Sequence, residues 1–230
     1  MTVFAIDTSS EICSIAFSQE ENIIAECSLN IHRAHSERLI PIINSVIENM
    51  DLSLRDVELI AVANGPGSFT GLRIGLSTAK GLAFANSCPL VSVVSLDTLA
   101  FQAPVQNGVI CPLIQARKNE FYSAIFEKKT GESQPQLAGE YKILKIDALR
   151  DFIPEGAYVP GNGVINNRQK LSEIFNEKVT LAPDYLSYHR ASASAILGYR
   201  KYNQLQQDEL QLVEPFYLQD FKVTRPKKDK

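Results

Sequence analysis

The order of apolar segments is what most constrains this chain. Alternation and β-branched content predict strands at residues 3–6, 13–17 and 23–27, parted by the polar turns DTSSE and SQEEN. A helix follows over 36–50, then a strand at 59–63, a helix at 71–85, a strand at 90–94 and a short helix at 96–101. The second half begins the same way, with strands at 109–115, 121–126 and 140–144, a short helix at 147–152 and a strand at 157–159. Helices over 164–175 and 191–204 complete it, so the order βββαβαβα is read twice.

Two mixed sheets of this order, each carrying helices, point to an α/β fold of the duplicated ribonuclease-H-like kind shared by actin, sugar kinases and Hsp70. The second copy is reduced, with shorter helices and polar loops such as KKTGESQPQ. The expected division is 1–105 for the first actin-like lobe with its docking helices, 106–210 for the second lobe, and 211–230 for a C-terminal segment and basic tail.

At 230 residues and 45% hydrophobic composition the chain buries a sizeable core. Its 23 basic and 26 acidic residues are unevenly placed: five bases and only Asp229 fall in the last nine positions, leaving 18 and 25 elsewhere, a net charge of −7. Such a body has no general footprint for phosphate, so it is not expected to grip a nucleic acid alone, and a partner would supply most of the basic surface for any RNA. The tail reads as a solvated terminus or an RNA contact. Cys13, Cys27, Cys88 and Cys111 sit in apolar stretches without CxxC spacing and read as buried thiols of a reducing compartment. The start lacks a basic n-region and no apolar run reaches membrane-spanning length, so a cytoplasmic location without membrane attachment is expected.

The segment NGPGSFTG, 64–71, follows a strand and opens a helix. Free amides there suit an anion, yet the P-loop's Lys-Ser/Thr ending is missing and a tight turn accounts for the glycines. In the helix beyond, Gly71, Gly75, Ala79 and Ala83 share one face, which implies a close approach inside the lobe or against another subunit. The preceding helix carries Leu39, Ile40, Ile42, Ile43, Val46, Ile47 and Met50, more apolar surface than one face requires; the surplus faces another element of the chain or a partner.

Asp7 and Thr8 end the first strand, where actin-like ATPases place an acid beside a phosphate-binding turn; both are carried as nucleotide contacts, against a plain turn role for Asp7. The matching turn of the second half, Gln115-Ala116-Arg117-Lys118, has neither an acid for magnesium nor a glycine. His32, His35 and His189 form no metal set, and no nucleophile with its base declares itself, so no catalytic or metal residue is assigned.

These motifs resemble the TsaB (YeaZ) family, relatives of the TsaD threonylcarbamoyl transferases. The likeness runs through FAIDTSSEICSIAF, HSERLIP (35–41), GPGSFTGLRIGLSTAKGLAF (65–84), ARKNEFYSAIF (116–126), GNG (161–163) and EPFYLQ (214–219). The resemblance implies a non-catalytic subunit for N6-threonylcarbamoyladenosine at position 37 of tRNAs reading codons that begin with A. It also implies a heterodimer with TsaD, recruitment of the ATPase TsaE, a homodimer when alone, and no intrinsic cofactor beyond ATP or ADP at the junction of the three. In the family the TsaD contact resembles a four-helix bundle, placing the interface on the two first-lobe helices through His35, Leu39, Ile42, Ile43, Val46, Leu72, Leu76 and Lys80. The metal-binding HxxxH of TsaD falls here on VVSLDTLAF, with Ser95 and Leu99 at the histidine positions. The sequence departs from the family's usual Asp at Gln115 and Arg at Gln219. An actin-like ATPase or kinase acting alone, or a metalloprotease-like protein, are the competing readings.

Overall fold

The structure, a computed structural model, describes residues 1–30, 34–50 and 53–218. His32, Gln219 and the basic tail lie outside them. The first half consists of β1 (Thr2–Asp7), β2 (Ile12–Gln19), β3 (Asn22–Asn30), α1 (His35–Met50), β4 (Leu59–Gly65), α2 (Phe69–Asn86), β5 (Leu90–Val94) and α3 (Ser95–Phe101). Its sheet has the order β3-β2-β1-β4-β5. The β1–β2–β3 meander is antiparallel, and β4 and β5 join in parallel.

Both faces of this sheet are covered, which is why β1 and β4 are apolar almost throughout. Phe4 and Ile6 of β1 point to α1 and α2, packing with Leu39, Ile43, Leu76 and Ala79. Val3 and Ala5 point the other way; the period of two in a strand sends alternate residues to opposite faces.

The second half contains β6 (Gly108–Ile110), β7 (Leu113–Arg117), β8 (Glu120–Ser123), β9 (Phe126–Lys128), β10 (Gln136–Leu137), β11 (Lys142–Lys145), α4 (Leu149–Phe152), β12 (Tyr158–Val159), α5 (Asn162–Phe175), β13 (Thr180–Leu181) and α6 (Ala191–Leu205). One sheet runs β10-β9-β6-β12-β13 and another β11-β8-β7. Both follow the order of the first lobe, with each of its first three strands split in two. Between β6 and β7 the chain passes Cys111-Pro112, and proline has no amide to continue a ladder. The strand β13, two residues long, was not among the expected elements; it completes the fifth position of the second sheet.

One element departs from the sequence division. Residues 191–205, counted with the second lobe, pack on the first sheet, where Ala191 and Ala195 meet Val3, Ala5, Ala16, Leu59, Ala61 and Val91. Small residues on both sides allow this closeness, and a methyl at Gly198 would crowd Ala61. The start of α6 is tied to the same sheet. Ala191 N donates to Ser14 Oγ at 2.9 Å and Ser192 N to Glu26 Oε1 at 3.0 Å, meeting amides that a helix start leaves unpaired. Downstream, Arg200 forks onto Glu21, with Nε–Oε1 and Nη2–Oε2 distances of 2.9 and 2.6 Å.

Candidate functional site

The turn between β4 and α2 is shaped by contact with the turn after β1. Ser68 caps α2, its Oγ accepting from Gly71 N at 3.3 Å, while Ser68 N donates to the Ser9 carbonyl at 2.6 Å. Methyl groups at Gly67, Gly71 and Gly75 would overlap Ser9 O, Thr8 O and Thr8 Oγ1 respectively. The small-residue stripe Gly71, Gly75, Ala79 and Ala83 is buried, and its first two members lie against the end of β1. The close approach inferred from the sequence is thus made to a strand inside the lobe.

That packing fixes Asp7 and Thr8. Thr8 Oγ1 donates to Gly71 O at 2.8 Å. Asp7 Oδ1 accepts from Ser9 N at 2.9 Å and Ser9 Oγ at 2.6 Å, while Oδ2 lies 3.6 Å from His189 Nδ1. Burial drives the Asp7 carboxyl toward a higher pKa, but the attraction of His189 and the two Ser9 hydrogen bonds outweigh it, and the net shift is downward. Asp7, Ser9 and His189 do not form a nucleophile relay. Ser9 Oγ is 3.4 Å from the same ring nitrogen, Nδ1, that faces Asp7, whereas a relay needs opposite sides of the imidazole. With 0% and 1% exposure, Asp7 and Thr8 stand behind the cleft and do not line it.

The cleft itself lies between the lobes and has a volume of about 740 Å³. The turn after β1 (Ser9, Ser10, Glu11), the starts of α1 and α2, and the β7 end (Gln115, Ala116, Arg117) line it. Asn162 at the start of α5 bridges the lobes, its Oδ1 accepting from Gln115 N at 3.0 Å and its Nδ2 donating to Glu11 Oε2 at 3.2 Å. Gln115 Oε1 accepts from Asn166 and Asn167 at 3.1 and 3.3 Å. At the rim, Phe216 N donates to Asn64 O at 2.7 Å, and the Tyr217 ring stacks on Phe69 with centroids 5.6 Å apart. Sequence reasoning missed Glu11 and His189: neither has a local partner that would mark it, and His189 meets Asp7 across 182 positions.

The eight residues expected on a docking face divide unevenly. His35, Leu39, Ile42, Ile43, Leu72 and Leu76 are 7% exposed or less, and Val46 and Lys80 are half-buried. The apolar surplus of α1 therefore goes largely into the chain's own core, where Leu39, Ile42 and Ile43 pack. The outward faces are different: Ile40 on α1 is 47% exposed, and Arg73, Ser77, Gly81 and Phe84 form an exposed row on α2, with Phe84 at 76%. Ser95 and Leu99 on α3 are fully buried, Leu99 among Ile110, Ile114 and Phe126.

Cys13, Cys88 and Cys111 are buried thiols and Cys27 is partly buried. Burial lifts the Cys13 and Cys111 thiols to about 12. Among the described residues no cluster of three His, Cys, Asp or Glu side chains is suited to a metal, and no helix is long and apolar enough to cross a membrane.

A sequence model of the family described as "TsaD: tRNA N6-adenosine threonylcarbamoyltransferase" matches residues 22–227. The chain is 32% identical over 203 residues to the tRNA threonylcarbamoyladenosine biosynthesis protein TsaB of Bacillus subtilis, covering 87% of this chain and 88% of that one. With TsaB of Escherichia coli it shares 36% identity over 130 residues, 56% of each. YeaZ from Pseudomonas aeruginosa superposes with a TM-score of 0.75 at 26% identity, over 94% of this chain and 99% of that chain. An activator of 2-hydroxyisocaproyl-CoA dehydratase from Clostridium difficile, 9% identical with a TM-score of 0.51 over 90% of this chain and 97% of its own, shares the fold alone. By an alignment that spans both halves and the fold built from them, this duplicated ribonuclease-H-like chain belongs to the TsaB family of tRNA threonylcarbamoyladenosine biosynthesis proteins.

Proposed function

We propose that this chain acts in N6-threonylcarbamoyladenosine formation at position 37 of tRNAs reading codons that begin with A, as a non-catalytic subunit that binds and activates the TsaD transferase and helps recruit TsaE. The observation that carries the docking role is the exposed outer row of α2, Arg73, Ser77, Gly81 and Phe84, together with the exposed Ile40 of α1. A methyl at Gly81 would meet nothing within 4 Å, so this helical glycine costs stability with no packing inside the chain to offset it. A partner helix lying close over Gly81 supplies such an offset, and in the isolated chain a second copy takes that place.

The non-catalytic reading is supported by Leu99, whose side chain offers no metal ligand at a position where TsaD carries histidine. The reading of no intrinsic cofactor is supported by Asp7, whose carboxylate is turned to His189, and by Glu11, the cleft's single carboxylate among the described residues. A junction nucleotide would therefore draw its metal ligands from TsaD and TsaE. The complex works in the cytoplasm and brings tRNA to this chain only indirectly.

The test is reconstitution of tRNA modification from purified TsaD and TsaE, with and without this chain, alongside co-purification of a Ser77→Arg variant. Modification should depend on the chain, and Ser77→Arg should lose TsaD while melting like wild type. Equal modification without the chain would sink the role; unchanged co-purification would sink this interface.

A further inference from the structure

We propose that the chain's own residues 219–225 lie extended along the start of the α2 outer face, with Phe221 in a groove there. They would compete with a partner helix for that face, a competition that rests on the docking role proposed for α2. The groove has a volume of about 290 Å³ and is lined by Phe69, Thr70, Arg73, Ile74 and Ser77. Arg73 and Ser77 belong to the exposed row as well. Phe69 is 38% exposed, with the Arg73 guanidinium 3.8 Å from its ring centroid and the Tyr217 ring stacked on it. A further aromatic side chain entering beside Phe69 buries apolar area and adds to a cation–aromatic pair already in place.

The path of the preceding residues selects this occupant. Residues 208–216 run along the outer edge of β5 and past the end of β4. Leu90 N donates to Asp208 Oδ1 at 2.9 Å and Ser92 N to Glu209 Oε2 at 2.8 Å. Glu209 N donates to Leu90 O at 2.8 Å, and Phe216 N to Asn64 O at 2.7 Å. So anchored, the chain delivers Tyr217 onto Phe69, which forms one wall of the groove. Phe221 follows four residues later, and four residues of extended chain reach up to about 13 Å. Phe221 and Val223 alternate with Lys222 and Thr224, the period of two that turns apolar side chains to one side of an extended segment and polar ones to the other. A segment tethered this closely meets the groove at an effective concentration on the order of millimolar, which favours it over an untethered peptide.

The chain contains no tryptophan, so Phe221→Trp in the full-length protein gives a single fluorescent reporter. Blue-shifted emission and weak acrylamide quenching are expected under native conditions; emission matching that of the urea-unfolded chain overturns the proposal. The Ile74 methyl resonances, followed by NMR, report the position without the larger ring. They should shift when residues 219–230 are deleted, and Phe221→Ala should reproduce that shift. Unmoved Ile74 methyls put the tail elsewhere and overturn the proposal too. A tail seated about nine-tenths of the time weakens apparent partner affinity about tenfold, so the deletion should tighten self-association or TsaD binding by that factor. A shielded reporter with unchanged affinities overturns the competition. Loss of both TsaD binding and self-association in the full-length and shortened chains alike, with the reporter shielded, instead sinks the docking role and leaves the seat of the tail standing.

Discussion

The Asp7 carboxylate faces the His189 imidazole at 3.6 Å, with neither side chain more than 1% exposed. The contact joins the end of the first strand to the loop that leads into α6. Removing one partner leaves a buried polar group of the other unsatisfied, at a cost of about 1–3 kcal/mol. Asp7→Asn and His189→Ala should therefore each lower the urea midpoint sharply at pH 7, without the double variant adding the two losses.

The same pair has a pH signature. The folded-state pKa of Asp7 lies below its ordinary value of 3.8, so the ionised carboxylate stabilises the fold above pH 3.8, and that contribution is lost as pH falls through the lower folded value. Below pH 4 the wild type should lose stability more steeply than Asp7→Asn. Parallel acid-unfolding curves would remove Asp7 as the cause.

Asp97 behaves in the opposite sense. Burial lifts its pKa to about 6, despite the 2.7 Å hydrogen bond from Tyr141 Oη and the attraction of Lys201. Ionisation then costs more in the folded chain, so stability is greatest below pH 3.8 and falls as pH rises toward about 6. Asp97→Asn should be neutral near pH 4 and stabilising at pH 7, as read by thermal melts at the two pH values.

Two alanine substitutions on one helix should move in opposite directions. Gly71→Ala drives a methyl into the Thr8 carbonyl, a backbone atom that cannot swing aside, and should cost about 1–3 kcal/mol or more. Gly81→Ala enters open space and should gain about 0.5–1 kcal/mol in the isolated chain. Chemical denaturation of both variants checks the pair.

Neighbouring positions separate core from surface. Leu76 is 4% exposed while Ser77 points outward. Leu76→Glu should destabilise the chain by about 3–5 kcal/mol through cavity and charge burial, so its loss of TsaD would report unfolding. Ser77→Arg should leave the melting temperature unchanged, which differential scanning fluorimetry shows directly.

The first sheet was legible because β1, β2 and β4 are long and buried almost throughout, so apolar runs such as VFAI and LIAVA mark them. The second was harder: strands of two to five residues carry little period, and Pro112 cuts one of them. Apolar excess on α1 reports burial without naming the surface that covers it, and for Leu39, Ile42 and Ile43 the covering surface is the chain's own. Small residues in α6 signal close packing but do not identify the sheet. Ser14 and Glu26 make that identification, and they lie far from α6 in sequence. Gly67 is legible as a turn residue and Gly71 and Gly75 as a close-packed helix face, because the Lys-Ser/Thr ending of a phosphate loop is missing.

The position of α6 also orders events at the ribosome. When residue 105 has been made, the first sheet still lacks the helix that covers Val3, Ala5, Ala16, Leu59, Ala61 and Val91. That greasy surface stays uncovered until residues 191–205 emerge, which sets a long interval in which the nascent chain is open to chaperones and to self-association. Division at residue 105 thus yields a fragment with an exposed apolar sheet face, and the two ends of the polypeptide must be present together for the amino-terminal lobe to close.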